Sequence, residues 1–363
     1  MTVKKIGQDK KESKGPRLIA EDLDAAGDEE FEPFERDKPV SFDRVLSTGS
    51  TLLDLAISGG RIRGGGLPGG MMIEIFGLES TGKSALLAEM MAATQHARIP
   101  GDSELCDPEG RFGERIQEIY GLKLPAKGYS RVNTVAEMFS HFDSFANRDP
   151  RAEGIGVFGC DSLAALSTGK EMEEEDKRGQ LRAKEFSSNL RKYARKICAE
   201  DLLFICTNQM RDGDFGPTTP GGKAIRYYAS LRLRLTKPIS WEIIRKRKLP
   251  SGVAVEKTIG INTKVYIHKS SIDDGYREAP VCIEFGYGVD DIRANLQYMK
   301  DMAKSTMYGL DKETRSNSMD VAIQKVEDNK RVKDLRNAVI DLWEEIEEGF
   351  KIDRQRKERG DDE

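Results

Sequence analysis

The sequence predicts an α/β protein with a mostly parallel central sheet flanked by helices. Two observations lead to this fold class. Apolar runs of strand length, such as IGVFGCDS at residues 155–162 and DLLFICTNQ at residues 201–209, alternate along the chain with helical patterns. That alternation is typical of a parallel sheet covered by helices on both faces. The chain has 363 residues, enough for a core of roughly 200 to 250 residues with appendages at both ends.

The first 39 residues are predicted to form a mostly disordered acidic arm. They are polar and charged, and from Glu21 to Asp37 they hold nine acids and one base. Such a segment cannot bury enough apolar surface to offset the entropy lost on ordering. We therefore expect an arm at residues 1–39, an α/β core at residues 40–290, and a charged helical region with an acidic tail at residues 291–363.

The first half of the core begins with a predicted strand, turn and short helix at residues 40–57. Residues 61–70, RIRGGGLPGG, are too rich in glycine for a regular element and predict a loop. An apolar strand at residues 71–76 leads through a short loop into a helix. Further helices are expected near residues 111–120 and, from apolar residues at helical spacing, at residues 133–148.

The second half of the core continues the alternation. An amphipathic helix is expected at residues 185–200, between the two apolar strands named above. The segments YASLRLRLT, TKVYIHK and APVCIEFGYG predict further strands, which we expect nearer the sheet edge because they alternate more between apolar and polar residues. Past residue 290 the pattern is helical and highly charged.

Composition argues against several classes of protein. No stretch approaches the ~20 apolar residues that a membrane span needs, and the first 15 residues lack the apolar segment of a secretory signal. We therefore expect a cytoplasmic protein with no membrane partner. The five cysteines are scattered without CxxC spacing, and the three histidines lie far apart. This argues against a disulfide framework, a zinc ribbon, a histidine metal site and a Ser/His/Asp triad.

Residues 77–84, GLESTGKS, match the pattern GxxxxGK(S/T) between the predicted strand and helix. In that context backbone N–H groups and the positive end of the helix dipole point at one place, which favours phosphate. Gly77 and Gly82 allow the tight turn, Lys83 can reach the outer phosphates, and Ser84 offers a hydroxyl to magnesium. The alternative is a surface turn with an incidental lysine. The predicted nucleotide-binding residues here are Gly77, Leu78, Glu79, Ser80, Thr81, Gly82, Lys83, Ser84 and Ala85.

Acidic residues near the ends of other predicted strands are candidates for binding Mg²⁺ and for activating the attacking water. Asp161, which ends an apolar strand, is predicted to hold Mg²⁺ together with Ser84; the alternative is a helix cap. Glu109, in CDPEG, is the candidate that orients and activates the attacking water. The alternative for Glu109 is an ordinary loop acid, and Asp107 is the second candidate for its role.

Gln209 ends a predicted strand of the same sheet, where its amide could sense the γ-phosphate. Directly after it, residues 210–222 contain four glycines, two prolines and one aromatic residue. We expect a mobile loop that is ordered by a ligand, and a loop linked to the nucleotide at one end is a natural allosteric device. The alternative is a plain surface linker.

The net charge of −4 hides a segregation of charge along the chain. From Arg232 to Lys248 there are seven bases and one acid, in contrast to the acidic arm. Local patches, rather than the total charge, decide whether a polyanion binds. The net charge therefore does not exclude a nucleic-acid partner.

The ordered motifs resemble those of the RecA-type DNA recombinases over roughly residues 40–290. Six of them occur in the family's order, which is far more specific than one phosphate loop. They are LSTGSTLLDLAI, GLPGGMMIEIFGLESTGKS, CDPEG, GCDSLAAL, TNQMR and TTPGGKAIRYYASLRLRL.

The resemblance implies a RecA-like P-loop ATPase core that uses ATP and Mg²⁺. It assigns Lys83 and Ser84 to phosphate and magnesium, Asp161 to the second-motif aspartate, and Glu109 to the catalytic glutamate. Gln209 is similar to the glutamine that couples nucleotide state to DNA binding. The two DNA-binding loops would lie near residues 168–182 and at residues 210–222. The implied DNA-binding residues are Lys170, Lys177, Arg178, Arg182, Arg211, Phe215, Thr218, Thr219, Gly221 and Gly222.

The chain departs from the family pattern in several places. The family uses two lysines of the neighbouring subunit at the γ-phosphate; here Lys269 matches one, and Ser271 stands in the place of the other. The segment DPEGRFGERI is closer to archaeal and eukaryotic recombinases, which implies that Arg115 stacks on adenine. The second loop is shorter than in typical bacterial members. The acidic arm and the divergent motifs indicate a phage-encoded member.

The resemblance implies a DNA-dependent ATPase that assembles into helical filaments on single-stranded DNA and pairs it with homologous duplex DNA. Two other functions stay open at this stage. A hexameric DNA helicase shares the same core, although the order of TNQMR and TTPGG argues against it. A non-catalytic recombination mediator is disfavoured by intact Lys83, Ser84, Glu109 and Asp161.

Overall fold

A ten-stranded sheet forms the centre of the protein in the computed structural model. The structure describes residues 41–126, 128–169, 178–210, 219–220 and 222–354. The strands of this sheet are β3 (Met71–Gly77), β4 (Ser103–Cys106), β5 (Tyr129–Ser130), β6 (Gly156–Cys160), β7 (Leu202–Gln209), β8 (Leu231–Thr236), β9 (Glu242–Lys248), β10 (Ala254–Ser270), β11 (Glu278–Glu284) and β12 (Gly288–Val289); β1 (Val45–Leu46) and β2 (Leu67–Pro68) pair separately.

The sheet consists of a parallel part and an antiparallel part. Its order is β12-β11-β10-β8-β3-β7-β6-β4-β5, with β9 paired to β10. Strands β8, β3, β7, β6, β4 and β5 are mutually parallel, whereas β9 to β12 pair antiparallel. The parallel part, with helices on both faces, confirms the predicted fold class.

Strand β8 is not near the sheet edge, so that expectation was wrong. It lies between β3, to which it is parallel, and β10, to which it is antiparallel. Its alternating sequence LRLRLT does not indicate a solvent-facing side, because Arg232 is buried against the carboxylate of Glu74. A buried ion pair therefore produced the polar positions that resemble an exposed face. The expectation holds for β11, which is next to the edge.

Helices cover both faces of the sheet. They are α1 (Thr51–Ser58), α2 (Lys83–His96), α3 (Glu114–Tyr120), α4 (Val135–Ala146), α5 (Arg178–Ala199), α6 (Gly222–Tyr228), α7 (Asp291–Met302), α8 (Met319–Asp328) and α9 (Val332–Gly349). One buried cluster joins α1, α2 and the C-terminal helices to Ile73 and Ile205. A second joins α4, α5 and α6 to Met72 and Phe204. Neighbouring residues of a strand point to opposite faces, so the two clusters lie on opposite sides of the sheet.

The C-terminal helices are fixed to α1. Leu296 of α7 and Val339 of α9 belong to the same buried cluster as Leu53 and Ile57. A side chain on Gly59, just after α1, would approach the ring of Trp343 to 2.7 Å. The helical stretch past residue 290 is therefore part of the packed core.

None of the five cysteines forms a disulfide. Cys106, Cys160, Cys206 and Cys282 are buried in strands, where they fill space as small apolar residues. Within the described ranges, none of the helices has the length and apolarity to cross a membrane.

Candidate functional site

The loop between β3 and α2 forms an open cradle of backbone N–H groups. Ser80 and Gly82 have φ of 56° and 89°, and Gly82 caps α2 without a side chain. A Cβ at Gly82 would lie 2.4 Å from Cδ1 of Ile283, so both conformation and space require glycine there. The first N–H groups of α2 therefore remain open to an anionic ligand.

Lys83 lies across this cradle. Its Nζ donates hydrogen bonds to the carbonyl oxygens of Leu78 at 2.7 Å and Gly77 at 3.3 Å. Burial lowers the pKa of Lys83, while the nearby carboxylates of Asp161 and Glu109 raise it. The ammonium is thus held at the mouth of the loop, where phosphate oxygens could replace the two carbonyls.

The cradle is also supported by the antiparallel part of the sheet. Thr263 of β10 donates its hydroxyl to the carbonyl oxygen of Thr81 at 2.8 Å, and Thr81 donates to the carbonyl oxygen of Leu78 at 2.9 Å. Because Thr263 and Thr81 are both buried, these bonds fix the loop against β10.

Asp161 follows β6 and is buried next to the start of α2. The Thr207 hydroxyl donates to its Oδ1, whereas its Oδ2 is buried without a hydrogen-bond partner among the described residues. Burial raises the pKa of Asp161, and the neighbouring hydroxyls of Ser84 and Thr207 lower it. A buried carboxylate oxygen without a partner is costly unless a further group binds it.

The donor set around Asp161 fits magnesium. Mg²⁺ prefers hard oxygen ligands and usually retains waters while it binds one or two carboxylates and substrate phosphates. Ser84 and Asp161 offer a hydroxyl and an unpartnered carboxylate oxygen on adjacent elements. These two residues would hold the ion at the edge of the cradle.

Glu109 lies in the loop after β4, and both of its carboxylate oxygens are engaged. Ser162 donates its hydroxyl to Oε1 at 2.5 Å, and Nη2 of Arg111 lies 2.7 Å from Oε2. The Glu109 side chain is 12% exposed, so only a small part of it is accessible. Asp107, the second candidate, is instead fully buried, and its Oδ2 accepts bonds from the Phe112 backbone at 2.8 Å and the Tyr129 hydroxyl at 2.9 Å.

A cavity of about 360 Å³ brings most of the predicted site residues together. It lies where the carboxyl ends of β3, β4, β6 and β7 meet, the usual ligand position in an open α/β sheet. The lining residues are Glu79, Ser80, Thr81, Gly82, Lys83, Ser84, Ala85, Glu109, Arg111, Asp161, Ser162 and Gln209. Gly77 and Leu78 take part through their carbonyl oxygens, which accept from Lys83.

A second, mostly apolar cavity of about 650 Å³ adjoins the first. The two share Ser80, Gly82, Ser84 and Ala85. Arg115 is among its lining residues, as are the apolar side chains Ile116, Ile119, Tyr120, Trp241, Ile261 and Ile283. A flat apolar group attached to a phosphate chain would fit across both cavities.

Lys269 does not line either cavity. It follows a bulge in β10, and its Nζ donates to the carbonyl oxygens of Tyr227 at 2.9 Å and Arg226 at 3.0 Å, in the last turn of α6. The backbone of Ser271 donates to Ser230 at 2.9 Å. Within one subunit, Lys269 thus contacts the helix that follows the predicted second DNA-binding loop.

Most of the predicted DNA-binding residues lie outside the described part of the chain. Arg182 of α5 donates to the carbonyl oxygens of Ala164 at 3.3 Å and Leu166 at 3.0 Å, and Thr219 is buried. Arg178 and Gly222 are the first residues of α5 and α6. The residues outside the described ranges are Lys170, Lys177, Arg211, Phe215, Thr218 and Gly221.

Three site residues were missed by sequence reasoning. Ser162 and Thr207 position the two functional carboxylates, and Arg111 binds one of them. Ser162 directly follows Asp161 and Thr207 precedes the predicted sensor by two positions, so their proximity to the site could have been inferred. No local pattern indicated that the Arg111 side chain turns back toward Glu109.

Comparisons with known proteins point to one family. The family model described as RecA N-terminal domain matches residues 35–290. RecA of Thermus thermophilus is 31% identical over 255 residues, which cover 68% of this chain and 69% of that protein. RecA of Rippkaea orientalis is 31% identical over 306 residues, 80% of each chain. RecA of Rubrobacter xylanophilus is 30% identical over 251 residues, 67% of each.

Proposed function

The chain belongs to the RecA family, and on this premise we propose that it is an ATP-dependent DNA recombinase. It forms helical filaments on single-stranded DNA and catalyses homologous pairing and strand exchange. The observation that carries the proposal is the convergence of Lys83, Glu109, Asp161 and Gln209 on one cavity at the strand ends. A DNA-binding protein without catalysis would not need this complete set.

The phosphate chain of ATP binds along residues 77–84. The open N–H groups at the start of α2 and the ammonium of Lys83 contact its oxygens. Ser84 and Asp161 would hold Mg²⁺, and the ion would neutralise charge on the phosphates. The adjoining apolar cavity would take the adenine, and Arg115 is among the residues that line this cavity.

Glu109 orients the attacking water and accepts its proton. The hydrogen bond from Ser162 fixes the direction of the carboxylate, and its 12% exposure leaves one side open to the cavity. Water attacks the γ-phosphorus as the bond to the bridging oxygen of ADP breaks. The products are ADP and inorganic phosphate.

Gln209 couples this chemistry to DNA. It is the last residue of β7 and lines the phosphate cavity, directly before the predicted second DNA-binding loop. Its amide can report the presence of the γ-phosphate to that loop. Loss of the γ-phosphate on hydrolysis then lowers the affinity for DNA. The two sites are thus linked by a coupling free energy.

Electron microscopy with single-stranded DNA and a non-hydrolysable ATP analogue tests this proposal. Subunits that stack by a heterologous contact that does not close produce helical filaments, and we expect filaments that require both DNA and the analogue. Closed rings would indicate a hexameric helicase instead. Nucleotide-independent DNA binding without either assembly would indicate a mediator.

A further inference from the structure

Arg111 combines a fixed backbone with an exposed side chain at the phosphate cavity. The turn around it is closed by a hydrogen bond from the Gly110 backbone to the Asp107 carbonyl at 3.2 Å. The next residue, Phe112, is buried, and its backbone donates to the Asp107 carboxylate. The Arg111 side chain, in contrast, is 65% exposed and lines the cavity.

The cavity needs more positive charge than Lys83 alone supplies. Its lining includes the carboxylates Glu79, Glu109 and Asp161 but only the cations Lys83 and Arg111. A triphosphate would add several negative charges to this excess, and Mg²⁺ would offset only part of them. The guanidinium of Arg111 is therefore the one further positive charge that the described lining offers.

The contact of Arg111 with Glu109 can be exchanged at little cost. An ion pair with an exposed partner contributes little to stability, and guanidinium groups match phosphate oxygens as well as they match carboxylates. While Arg111 is bound to Oε2, that oxygen is not free to accept a hydrogen bond from water along the same direction. Transfer of the guanidinium to a phosphate oxygen would free Oε2 of Glu109.

We propose that Arg111 is a catalytic residue that acts within its own subunit. When ATP binds, the Arg111 guanidinium moves from Glu109 to the γ-phosphate. This proposal rests on the proposed ATPase function. In the absence of nucleotide Arg111 pairs with Glu109; with ATP bound it contacts a γ-phosphate oxygen and stabilises the charge that develops there. The same movement frees Glu109 to take the proton of the attacking water, so one side chain links substrate binding to activation of the base.

The proposal predicts that Arg111 contributes to binding of the γ-phosphate but not to binding of the rest of the nucleotide. We compare Arg111→Met, which retains much of the side-chain length without its charge, with Arg111→Lys. Single-turnover hydrolysis and the affinities for fluorescent ADP and a fluorescent non-hydrolysable ATP analogue are measured on the full chain with Mg²⁺ and single-stranded DNA. For Arg111→Met we expect hydrolysis to fall about 10- to 100-fold. Affinity for the ATP analogue should fall about tenfold while ADP affinity stays unchanged, and Arg111→Lys should recover part of both losses.

Arg131→Met is the matched control. The Arg131 side chain lies beside Gly110 and contacts the Tyr129 hydroxyl at 3.4 Å instead of Glu109, so this variant should resemble the wild type. Hydrolysis by Arg111→Met that is unchanged or faster would overturn the proposal, because the residue would then be irrelevant or inhibitory. An equal loss of ADP and ATP-analogue affinity would also overturn it, since that indicates a structural role.

The outcomes distinguish this proposal from the proposed function. If the wild type hydrolyses ATP and Lys83→Ala does not, the ATPase assignment stands whatever Arg111 does. If the wild type does not hydrolyse ATP, the ATPase assignment fails. The difference between the ADP and ATP-analogue affinities of Arg111→Met then still decides whether Arg111 contacts the γ-phosphate.

Discussion

Arg232 and Glu74 form an ion pair inside the sheet, with 2.6 Å between Nε and Oε2. Both side chains are buried, and the guanidinium also lies 4.4 Å from the centre of the Phe76 ring. The other Glu74 oxygen accepts from the Asn208 amide at 2.9 Å, and the same amide donates to the Pro220 carbonyl at 2.9 Å. The pair thus connects the strand before the phosphate loop to Asn208, which precedes the second predicted DNA-binding loop, and through it to Pro220 within that loop.

Loss of one partner of this pair should be strongly destabilising. Arg232→Met leaves the Glu74 carboxylate buried without its cation, which typically costs about 3 to 5 kcal/mol. We expect urea denaturation to show a loss of that order in the free energy of unfolding. The double variant Glu74→Gln/Arg232→Met should be more stable than Arg232→Met alone. If Arg232→Met has the same free energy of unfolding as the wild type, the ion pair is not buried in the way that the structure shows.

Gly82→Ala should damage the phosphate loop. The residue has a φ of 89°, and a Cβ would lie 2.4 Å from Ile283, so we expect a loss of about 1 to 3 kcal/mol and no thermal stabilisation by Mg-ADP. Gly275→Ala is the control, because no atom lies within 4 Å of its Cβ position. A normal ADP-induced rise in melting temperature for Gly82→Ala would contradict the description of the cradle.

Asp161→Asn should uncouple nucleotide binding from magnesium. The unpartnered Oδ2 of Asp161 is the proposed magnesium contact, and an amide is a weaker ligand for a hard cation than a carboxylate. Isothermal titration of the wild type with ADP should show tighter binding with Mg²⁺ than with EDTA. In the variant we expect the two affinities to converge. A full magnesium effect in Asp161→Asn would place the ion elsewhere.

Glu89, on α2, should make stability depend on pH. Burial raises the pKa of Glu89 from 4.5 to about 7, against a hydrogen bond from the Val289 backbone. The folded state therefore binds this proton more tightly than the unfolded chain. The resulting stabilisation is complete below pH 4.5 and is lost as the pH rises through 7.

Glu89→Gln should remove this dependence, because glutamine remains neutral. Relative to the wild type, its free energy of unfolding should increase by about 2 kcal/mol between pH 5 and pH 8. Urea denaturation at the two pH values measures this difference. An equal difference between variant and wild type at both values would show that Glu89 ionises normally in the fold.

The parallel sheet and the phosphate cavity could be predicted because local patterns encode them. The strand before residue 77 and the helix after residue 82 have strong apolar patterns, and carboxyl ends of parallel strands converge at one edge. Asp161 and Gln209 therefore had to lie near the loop once their strands were recognised. The cavity lining agrees with that reasoning.

Two of the features that the sequence did not predict depend on contacts between residues that lie far apart in the sequence. Inside the sheet, Arg232 of β8 pairs with Glu74, 158 residues away, and no local pattern reveals that an arginine is buried. The support of the loop by Thr263 spans 182 residues. Arg111 is close to Glu109 in sequence, but the conformation of the turn at Gly110, where φ is 66°, decides which way its side chain points.

A DNA strand-exchange assay tests the central claim most directly. Single-stranded DNA coated with the protein is mixed with a fluorescent duplex, and displacement of the labelled strand is followed with ATP and Mg²⁺. The account predicts displacement that requires ATP and sequence homology and that is abolished in Lys83→Ala. Displacement that is equally fast with a heterologous duplex, or that persists in Lys83→Ala, would contradict it.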